Sequence, residues 1–206
     1  MKKHIVTVGR QFGSDGADIA KRLSALLGTE YFDKEILVKA SESSGISRDA
    51  FERADERATS SFLYSITMSS YSGNISPLGV NDVMMSDRLF GIQAEEIRKI
   101  ASKSNCVFVG RCADDILSSF DELIRIFIHA PVETRIARVM ERHKLNESSA
   151  RTLIKKTDKK RSSYYSFYTG KDWGLSENYD ITINSSSLGQ EKTALLLRDF
   201  VLSKNN

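Results

Sequence analysis

Short apolar runs are separated along the chain by longer stretches in which apolar residues recur every three or four positions. The apolar runs end at Gly, Asp, Asn or the His before Ala-Pro, which is typical of short buried strands. The pattern therefore predicts strands connected by helices. The predicted strands are residues 4–8, 30–33, 105–109, 124–129 and 180–184.

The stretches between these strands have the periodicity of amphipathic helices. In the first of them, apolar side chains from Ile19 to Leu27 share one face, and Gly28 ends the pattern. The predicted helices are residues 17–27, 34–44, 48–61, 89–102, 131–144, 146–162 and 188–202.

Residues 60–87 have no clear period. They are rich in Ser, Met and Tyr and contain Pro77 and several glycines, which predicts a loop-rich excursion over the surface. Such a segment is either a plain connection or part of an insert that covers a substrate. A second aromatic cluster, Tyr164, Tyr165, Tyr168 and Trp173, is expected to pack in a loop that returns to the sheet.

Strands that alternate with helices predict an α/β sandwich of three layers with a mostly parallel sheet. A chain of 206 residues suits one domain. No stretch is long and apolar enough to span a membrane, and the N-terminus does not have the pattern of a signal peptide. Cys106 and Cys112 do not suffice for a disulfide framework or a zinc site, so we expect free thiols and a cytoplasmic location.

Positive charge is concentrated in one segment. The net charge is +3, but residues 133–161 contain ten Lys or Arg against four Asp or Glu. A local basic block on a nearly neutral protein favours a phosphate-bearing ligand, because a nucleic-acid-binding protein usually has a broader basic face. No nucleic-acid or membrane partner is expected, and the oligomeric state is left open, a homodimer included.

Glycines cluster where the first predicted strand meets the first predicted helix. Gly9, Gly13 and Gly16 allow backbone N–H groups to point at an anion, and the helix N-terminus adds partial positive charge. A standard P-loop has a lysine after its last glycine, but none follows here. Arg10 is a candidate for the missing charge, and Ser14 is the nearest hydroxyl. The alternative is a glycine-rich turn that only starts a helix.

Two polar residues stand at the ends of other predicted strands. Strand ends face the ligand crevice in open α/β sheets. Asp33 can therefore accept hydrogen bonds from a ligand, although it could equally cap the next helix. Arg111 can bind a phosphate through its guanidinium, or pair at the surface with Asp114 or Asp115.

Two rows of mostly basic residues lie on consecutive predicted helices. Arginines that face one another across a hairpin repel unless an anion lies between them, so the rows favour a bound phosphate over a solvated hairpin. The rows are Arg135, Arg138 and Arg142 on the first helix, and Arg151, Lys155, Asp158 and Arg161 on the second.

In this order the motifs resemble the cytidylate kinase-like family of nucleoside monophosphate kinases. The stretches that match are VTVGRQFGSDGADIAKRL, LGTEYFDKEIL, VFVGRCADDIL, IFIHAPVETRIARVMER, DKKRSSYYSFYTGKDWG and YDITINSSSLG. The resemblance implies a single P-loop kinase-type domain, with a substrate-side insert at about 34–90 and a helical lid at about 133–170. It also implies ATP, Mg²⁺ and a nucleoside monophosphate acceptor such as CMP.

The resemblance also assigns roles to individual residues. It implies monophosphate contacts for Asp33 and Arg111. The phosphate loop would be Gly9, Arg10, Gln11, Phe12, Gly13, Ser14, Asp15, Gly16, Ala17 and Asp18. The lid and catalytic residues would be Arg135, Arg138, Arg142, Asp158 and Arg161.

The chain departs from cytidylate kinases at two of these positions. Gly16 stands in the place of the P-loop lysine, and Cys112 follows Arg111 where those enzymes have an aspartate. The identity of the acceptor is therefore open. We expect arginines, namely Arg10, Arg135, Arg138 and Arg161, to supply the charge of the absent lysine.

Two other classes of function remain on the sequence alone. A catalytically weak or silent protein of the same fold could bind nucleotides or other anions without transferring phosphate. A dinucleotide-dependent oxidoreductase would use the three glycines and Asp33, but it leaves the basic segment without a role. The chain also does not have the Tyr-x-x-x-Lys pair expected of such an enzyme, because Phe167 stands four residues before Lys171.

Overall fold

The computed structural model describes residues 3–33, 35–45 and 77–204, which form a parallel sheet covered by helices on both faces. Every neighbouring pair of strands is parallel, which confirms the predicted α/β class. Within the described ranges the strands are β1 (Ile5–Arg10), β2 (Glu30–Phe32), β3 (Cys106–Val109), β4 (Leu123–His129) and β5 (Ile181–Asn184).

The strand order across the sheet is β2–β3–β1–β4–β5. In the dinucleotide-binding fold the second strand lies beside the first. Here β3 lies beside β1, with Ile5 opposite Cys106, and β2 is at the edge. The oxidoreductase alternative therefore loses its structural basis.

Helices connect the strands and cover both faces of the sheet. None in the described part of the chain has the length and apolar character needed to cross a membrane. The α-helices are α1 (Gly16–Leu27), α2 (Glu35–Ser44), α3 (Pro77–Lys103), α4 (Ala113–Ile116), α5 (Val132–His143), α6 (Glu147–Thr169) and α7 (Ser185–Lys204), the last interrupted at Gly189.

Alternate residues of the buried strands face two different cores. On β1, Ile5 packs with α2, α3 and α4, whereas Val6 and Val8 pack with α1 and α7. Period-2 alternation in a strand sends successive side chains to opposite faces. The sheet is thus the middle of the three predicted layers. Its buried strands correspond to the short apolar runs of the sequence.

Helices α5 and α6 form a hairpin with a small apolar core of its own. Ile136 and Val139 of α5 pack against Ala150 and Ile154 of α6. Phe12, from the turn after β1, packs against the same core. The hairpin is therefore held to the glycine-rich turn by apolar contact as well as by charge. Its role as a lid, like the division into core and insert, stays a prediction.

The first strand extends two residues beyond its prediction. Gly9 and Arg10 continue β1, opposite Phe127 and Ile128 of β4. A Cβ at Gly9 would lie 2.7 Å from the Phe127 ring, so the glycine allows the ring to pack against the backbone. Gly9 is therefore part of the strand and not of the loop in which the sequence placed it.

Two segments differ more strongly from the sequence predictions. Residues 77–88 continue the helix α3 and do not form a loop, since proline is well tolerated at a first helical position. Helix α6 runs to Thr169, so Tyr164, Tyr165 and Tyr168 lie on a helix and not in a returning loop. The predicted helix 48–61 and the rest of the predicted excursion, 60–76, fall outside the described residues.

Candidate functional site

The turn between β1 and α1 is built on two left-handed residues. Gly13 has φ +78° and Asp15 has φ +59°. A Cβ at Gly13 would lie 2.9 Å from the carbonyl oxygen of Arg135, so only glycine lets the turn approach α5 this closely. The hydroxyl of the fully buried Ser14 donates to the carbonyl of Gln11 at 2.8 Å and closes the turn.

Several backbone amides of this turn donate to no protein acceptor in the described ranges. The amides of Gln11, Phe12 and Ser14 are satisfied, by Ile128, Asp158 and Gln11 respectively. The amides that remain stand at the N-terminus of α1, where the helix dipole favours negative charge. They belong to Gly13, Asp15, Gly16, Ala17 and Asp18. The turn therefore has the geometry of an anion-binding site.

Arg135 and Asp158 fasten the hairpin to this turn. The guanidinium of Arg135 donates to Asp158 at 2.5 Å, to the carbonyl of Phe12 at 3.3 Å and to that of Ala130 at 3.1 Å. The other oxygen of Asp158 accepts from the Phe12 amide at 2.7 Å. Arg135 is buried, so each of these bonds satisfies a desolvated donor.

The remaining arginines of α5 bind carboxylates of the turn. Arg138 Nε lies 3.0 Å from Asp15, and its Nη1 lies 3.1 Å from the Ser185 hydroxyl. Arg142 Nη2 lies 3.2 Å from Asp15 and 2.8 Å from Asp18. The groups found between the arginines of the hairpin and the turn are thus the protein's own carboxylates.

Arg10 and Arg161 meet at the end of β1. Arg161 Nη1 donates to the carbonyl of Arg10 at 2.9 Å, and the Arg10 guanidinium lies 3.5 Å from Asp33. Burial, together with the charge of Arg10 and, less strongly, Arg111, lowers the pKa of Arg161 to about 9. The charges of Asp158 and Asp33 offset part of this effect. Arg161 forms no ion pair within the described ranges, so an anion in the cavity would stabilise its charge.

Two glycines make room for the Arg10 side chain. A Cβ at Gly16 would overlap the Arg10 Cβ, and a Cβ at Gly110 would overlap its guanidinium. The side chain of Arg10 is thus confined between α1 and the turn after β3, and its carboxylate partner is Asp33. The carboxylates of Asp15 and Asp18 bind Arg138 and Arg142 instead.

The turn after β3 is strained. Gly110, Arg111 and Cys112 have φ of +73°, +62° and +55° in succession. Left-handed backbone at two consecutive residues other than glycine is costly, and such strain is often found at ligand sites. The turn leads directly into α4, whose Asp114 and Asp115 bind Tyr165 and Lys171.

These groups surround one cavity of about 460 Å³ at the carboxyl ends of β1 and β3. Gly9 lines a smaller neighbouring cavity of about 60 Å³ instead. The predicted residues that line the larger cavity are Arg10, Gln11, Phe12, Gly13, Asp15, Gly16, Ala17, Asp33, Arg111, Arg142 and Arg161. Those that support it from behind or beside are Ser14, Asp18, Arg135, Arg138 and Asp158.

Three residues that the predictions omitted also line the larger cavity, namely Thr157, Lys160 and Tyr164 of α6. Tyr165, which the predictions also omitted, lines the smaller cavity and donates its hydroxyl to Asp114 at 2.8 Å. Burial raises the pKa of Asp114, of Tyr165 and of the neighbouring Tyr179, the last to about 12.

The spacing of the helix α6 could have revealed the role of Tyr165. Asp158, Arg161 and Tyr165 are spaced i, i+3 and i+7 and lie on one face of the helix. Asp158 binds the turn after β1, Arg161 binds the end of β1, and Tyr165 binds α4 after β3. Interpreting the tyrosines as a loop hid this pattern.

The sequence model of the cytidylate kinase-like family matches residues 5–187, which is nearly the whole chain. The chain belongs to the cytidylate kinase-like family. Two curated cytidylate kinases are similar to it, from Staphylothermus marinus, 32% identical over 103 residues, and Methanosarcina mazei, 33% identical over 101 residues. These matches cover 49% and 48% of this chain and 56% of each relative, so the likeness spans little more than half of the curated enzymes.

Solved structures extend the likeness to the fold of this family member. A protein of Eubacterium ventriosum that has not been characterised has a TM-score of 0.71 and 28% identity, over 98% of this chain and 99% of that one. Shikimate kinase from Acinetobacter baumannii, solved with shikimate, has a TM-score of 0.52 and 16% identity, over 98% and 94%. The expected P-loop kinase-type fold is thereby confirmed, and membership of the family supports a kinase-like phosphotransferase.

Proposed function

We propose that the protein transfers the γ-phosphoryl group of ATP to a nucleoside monophosphate, with a CMP-like acceptor as the first candidate. The observation that carries the proposal is a group of backbone amides that donate to no protein acceptor in the described ranges, those of Gly13, Asp15, Gly16, Ala17 and Asp18. They open onto a cavity that arginines also line. A triphosphate would satisfy both the amides and the guanidinium groups.

The donor phosphates would lie over the N-terminus of α1. The amides of Gly13, Asp15 and Gly16 would bind the phosphate oxygens, and Arg142 and Lys160 stand beside them in the same cavity. Backbone amides of this kind hold the β- and γ-phosphates in place without a proton transfer. This is the role that the phosphate loop of residues 9–18 was predicted to have, with Gly9 moved into the strand.

Mg²⁺ would be held largely by the ATP itself. The ion usually binds through one or two carboxylates, substrate phosphates and waters. The described residues contain no group of three His, Cys, Asp or Glu that could hold a metal alone. Asp15 and Asp33 are the carboxylates that line the cavity. Asp15 pairs with two arginines at 3.0 and 3.2 Å, whereas Asp33 lies 3.5 Å from Arg10, so Asp33 would be the protein ligand of the ion.

The acceptor phosphate would lie between Arg10, Arg111 and Arg161. Burial and neighbouring positive charge disfavour the charged form of Arg161, and a monophosphate dianion would reverse that cost. Arginine binds two phosphate oxygens at once, which would also orient the acceptor. Asp33 lies 3.5 Å from Arg10 and limits its freedom on this side of the cavity.

Phosphoryl transfer in this site would need positioning and charge stabilisation more than covalent chemistry. Mg²⁺ when bound neutralises charge on the triphosphate. An oxygen of the acceptor phosphate attacks the γ-phosphorus, the bond to the β,γ-bridging oxygen breaks, and ADP and a nucleoside diphosphate leave. Arg161 and Arg111 would stabilise the spreading negative charge, while the α5–α6 hairpin excludes water.

Calorimetric titration and a radiolabelled transfer assay together test this proposal. ATP should bind in the presence of Mg²⁺, and label from γ-labelled ATP should appear in a nucleoside diphosphate. CMP, UMP and AMP are the acceptors to compare, and shikimate belongs in the panel because a kinase of this fold binds it. Transfer to shikimate alone would replace the nucleotide acceptor, and no binding of ATP would refute the proposal.

A nucleotide-binding protein without catalysis is the second candidate. It is supported by the loop itself, because the first lysine after Gly9 is Lys21, beyond the cavity lining. In that case ATP would bind and no acceptor would be labelled, even at long times and high protein concentration. Hydrogen exchange with an ATP analogue would separately test closure of the hairpin. The hairpin amides should be protected from exchange whether the protein is a kinase or only binds the nucleotide.

A further inference from the structure

One of the cations at the start of α1 comes from the far end of another helix. Arg142 is in the last turn of α5, and its Nη2 binds both Asp15 and Asp18 across 127 and 124 residues of sequence. Arg142 also lines the large cavity. Its Nε and Nη1 donate to no group in the described part of the chain. One edge of the guanidinium is thus anchored, and donors remain for a ligand.

Of the two carboxylates that bind Arg142, Asp15 is the one whose presence at this position needs an explanation. Its side chain is only 7% exposed, and it forms ion pairs with two guanidinium groups, those of Arg138 and Arg142. It also occupies a left-handed conformation that a glycine would adopt more easily. A buried carboxylate beside a phosphate site would by itself weaken the binding of a triphosphate. Its presence makes physical sense if it holds the arginines in place.

We propose that Asp15 is a positioning residue that places Arg142 over the turn, where Arg142 supplies the positive charge of the absent P-loop lysine. The proposal rests on the proposed function, because it assumes that a triphosphate occupies this cavity. Asp18 is the second, more exposed anchor, with its side chain 45% exposed. The cation therefore reaches the phosphates from the hairpin and not from the loop.

The test compares the ATP affinity of three variants by calorimetry, with the melting temperature measured in parallel. Arg142→Ala should weaken ATP binding by about 10- to 100-fold, the usual effect of one charge-assisted contact. Asp15→Asn should weaken it by about 3- to 10-fold although it removes a negative charge, because Arg142 loses its anchor. Asparagine tolerates left-handed backbone, so the turn should keep its shape.

Arg151→Ala is the matched control. Arg151 belongs to the same hairpin, is exposed to a similar degree, and also binds two carboxylates through Nη2, those of Glu133 and Glu147. Its removal should leave the ATP affinity within about twofold. Arg142→Lys should restore part of the affinity lost in Arg142→Ala, which a purely structural role would not explain.

Tighter ATP binding in Asp15→Asn would overturn the proposal, since the carboxylate would then be competing with the phosphates. Equal affinities of wild type and Arg142→Ala would also overturn it. If the wild-type protein binds no ATP, the proposed function fails first. In that event, binding of inorganic tripolyphosphate that is lost in Arg142→Ala and in Asp15→Asn would still support the positioning role.

Discussion

The arginines of α5 and the two that meet at the end of β1, Arg10 of the strand and Arg161 of α6, have the same chemistry but different surroundings. Arg135, Arg138 and Arg142 each bind at least one carboxylate from another part of the chain. Arg161 instead donates to a carbonyl, beside Arg10, in a place where burial disfavours its charge. The difference teaches that the number of arginines in a segment does not locate an anion site; the local balance of charge does.

Removal of Arg161 should have the largest effect, because burial disfavours its charge and it forms no ion pair within the described ranges. We expect Arg161→Ala to lower kcat/KM for the phosphate acceptor by about 100- to 1,000-fold, as when one preorganised donor to developing charge is lost. Steady-state kinetics at saturating ATP measure this effect. Arg198→Ala removes an arginine paired with its neighbour Asp199 on α7 and should change little. Equal loss in both variants would end the contrast between the two sets of arginines.

Asp158→Asn should act on stability where Arg161→Ala acts on catalysis. The variant leaves the buried Arg135 guanidinium without its 2.5 Å carboxylate partner. We expect the free energy of unfolding to fall by about 2–3 kcal/mol, within the range for a broken buried ion pair. Urea denaturation measures it. An unchanged midpoint would mean that the ion pair between Asp158 and Arg135 contributes nothing to stability and would remove this contrast with Arg161.

Tyr165→Phe tests how the surroundings of Arg161 affect acceptor binding, because it removes one hydroxyl near Arg161 on α6. Tyr165 follows Arg161 by one helical turn, and its bond to Asp114 holds that part of α6 to α4. We expect KM for the acceptor to rise by about 3- to 10-fold, with a smaller change in kcat and in the KM for ATP. Tyr168→Phe, which removes a hydroxyl that donates to Asp87 at 3.4 Å in an exposed position, is the control. A uniform loss of stability without a KM shift would argue for packing alone.

The smallest effect should come from the pH dependence of Asp114. Burial raises its folded pKa above the unfolded value, so the folded state binds more protons and this group favours folding less as pH rises from about 4 through the folded pKa. Asparagine has no such charge to bury. The free energy of unfolding of Asp114→Asn, relative to that of the wild type, should therefore be larger at pH 8 than at pH 4. Denaturation of both proteins at the two pH values measures this difference. The opposite trend would show that Asp114 is stabilised as an anion.

Local signals predicted much of the fold and part of the site. The strands, the glycine-rich turn and Arg111 at the end of β3 came from short apolar runs and glycine placement, which act within a few residues. The start of α3 and the helical position of Tyr165 were missed. Pro77 and the nearby glycines resemble loop signals, and the tyrosines of α6 pack against other elements that the sequence pattern does not identify.

The sequence by itself determined the parallel α/β class, the basic segment 133–161 and a glycine-rich turn without a lysine. Only the tertiary structure decided which groups each arginine contacts. Arg142 meets Asp15 across 127 residues, and Arg161 meets Arg10 across 151. The physical reason is that an ion pair depends on distances of a few ångströms between charged atoms and on their exposure to water. Those quantities exist only once the hairpin has packed against the sheet.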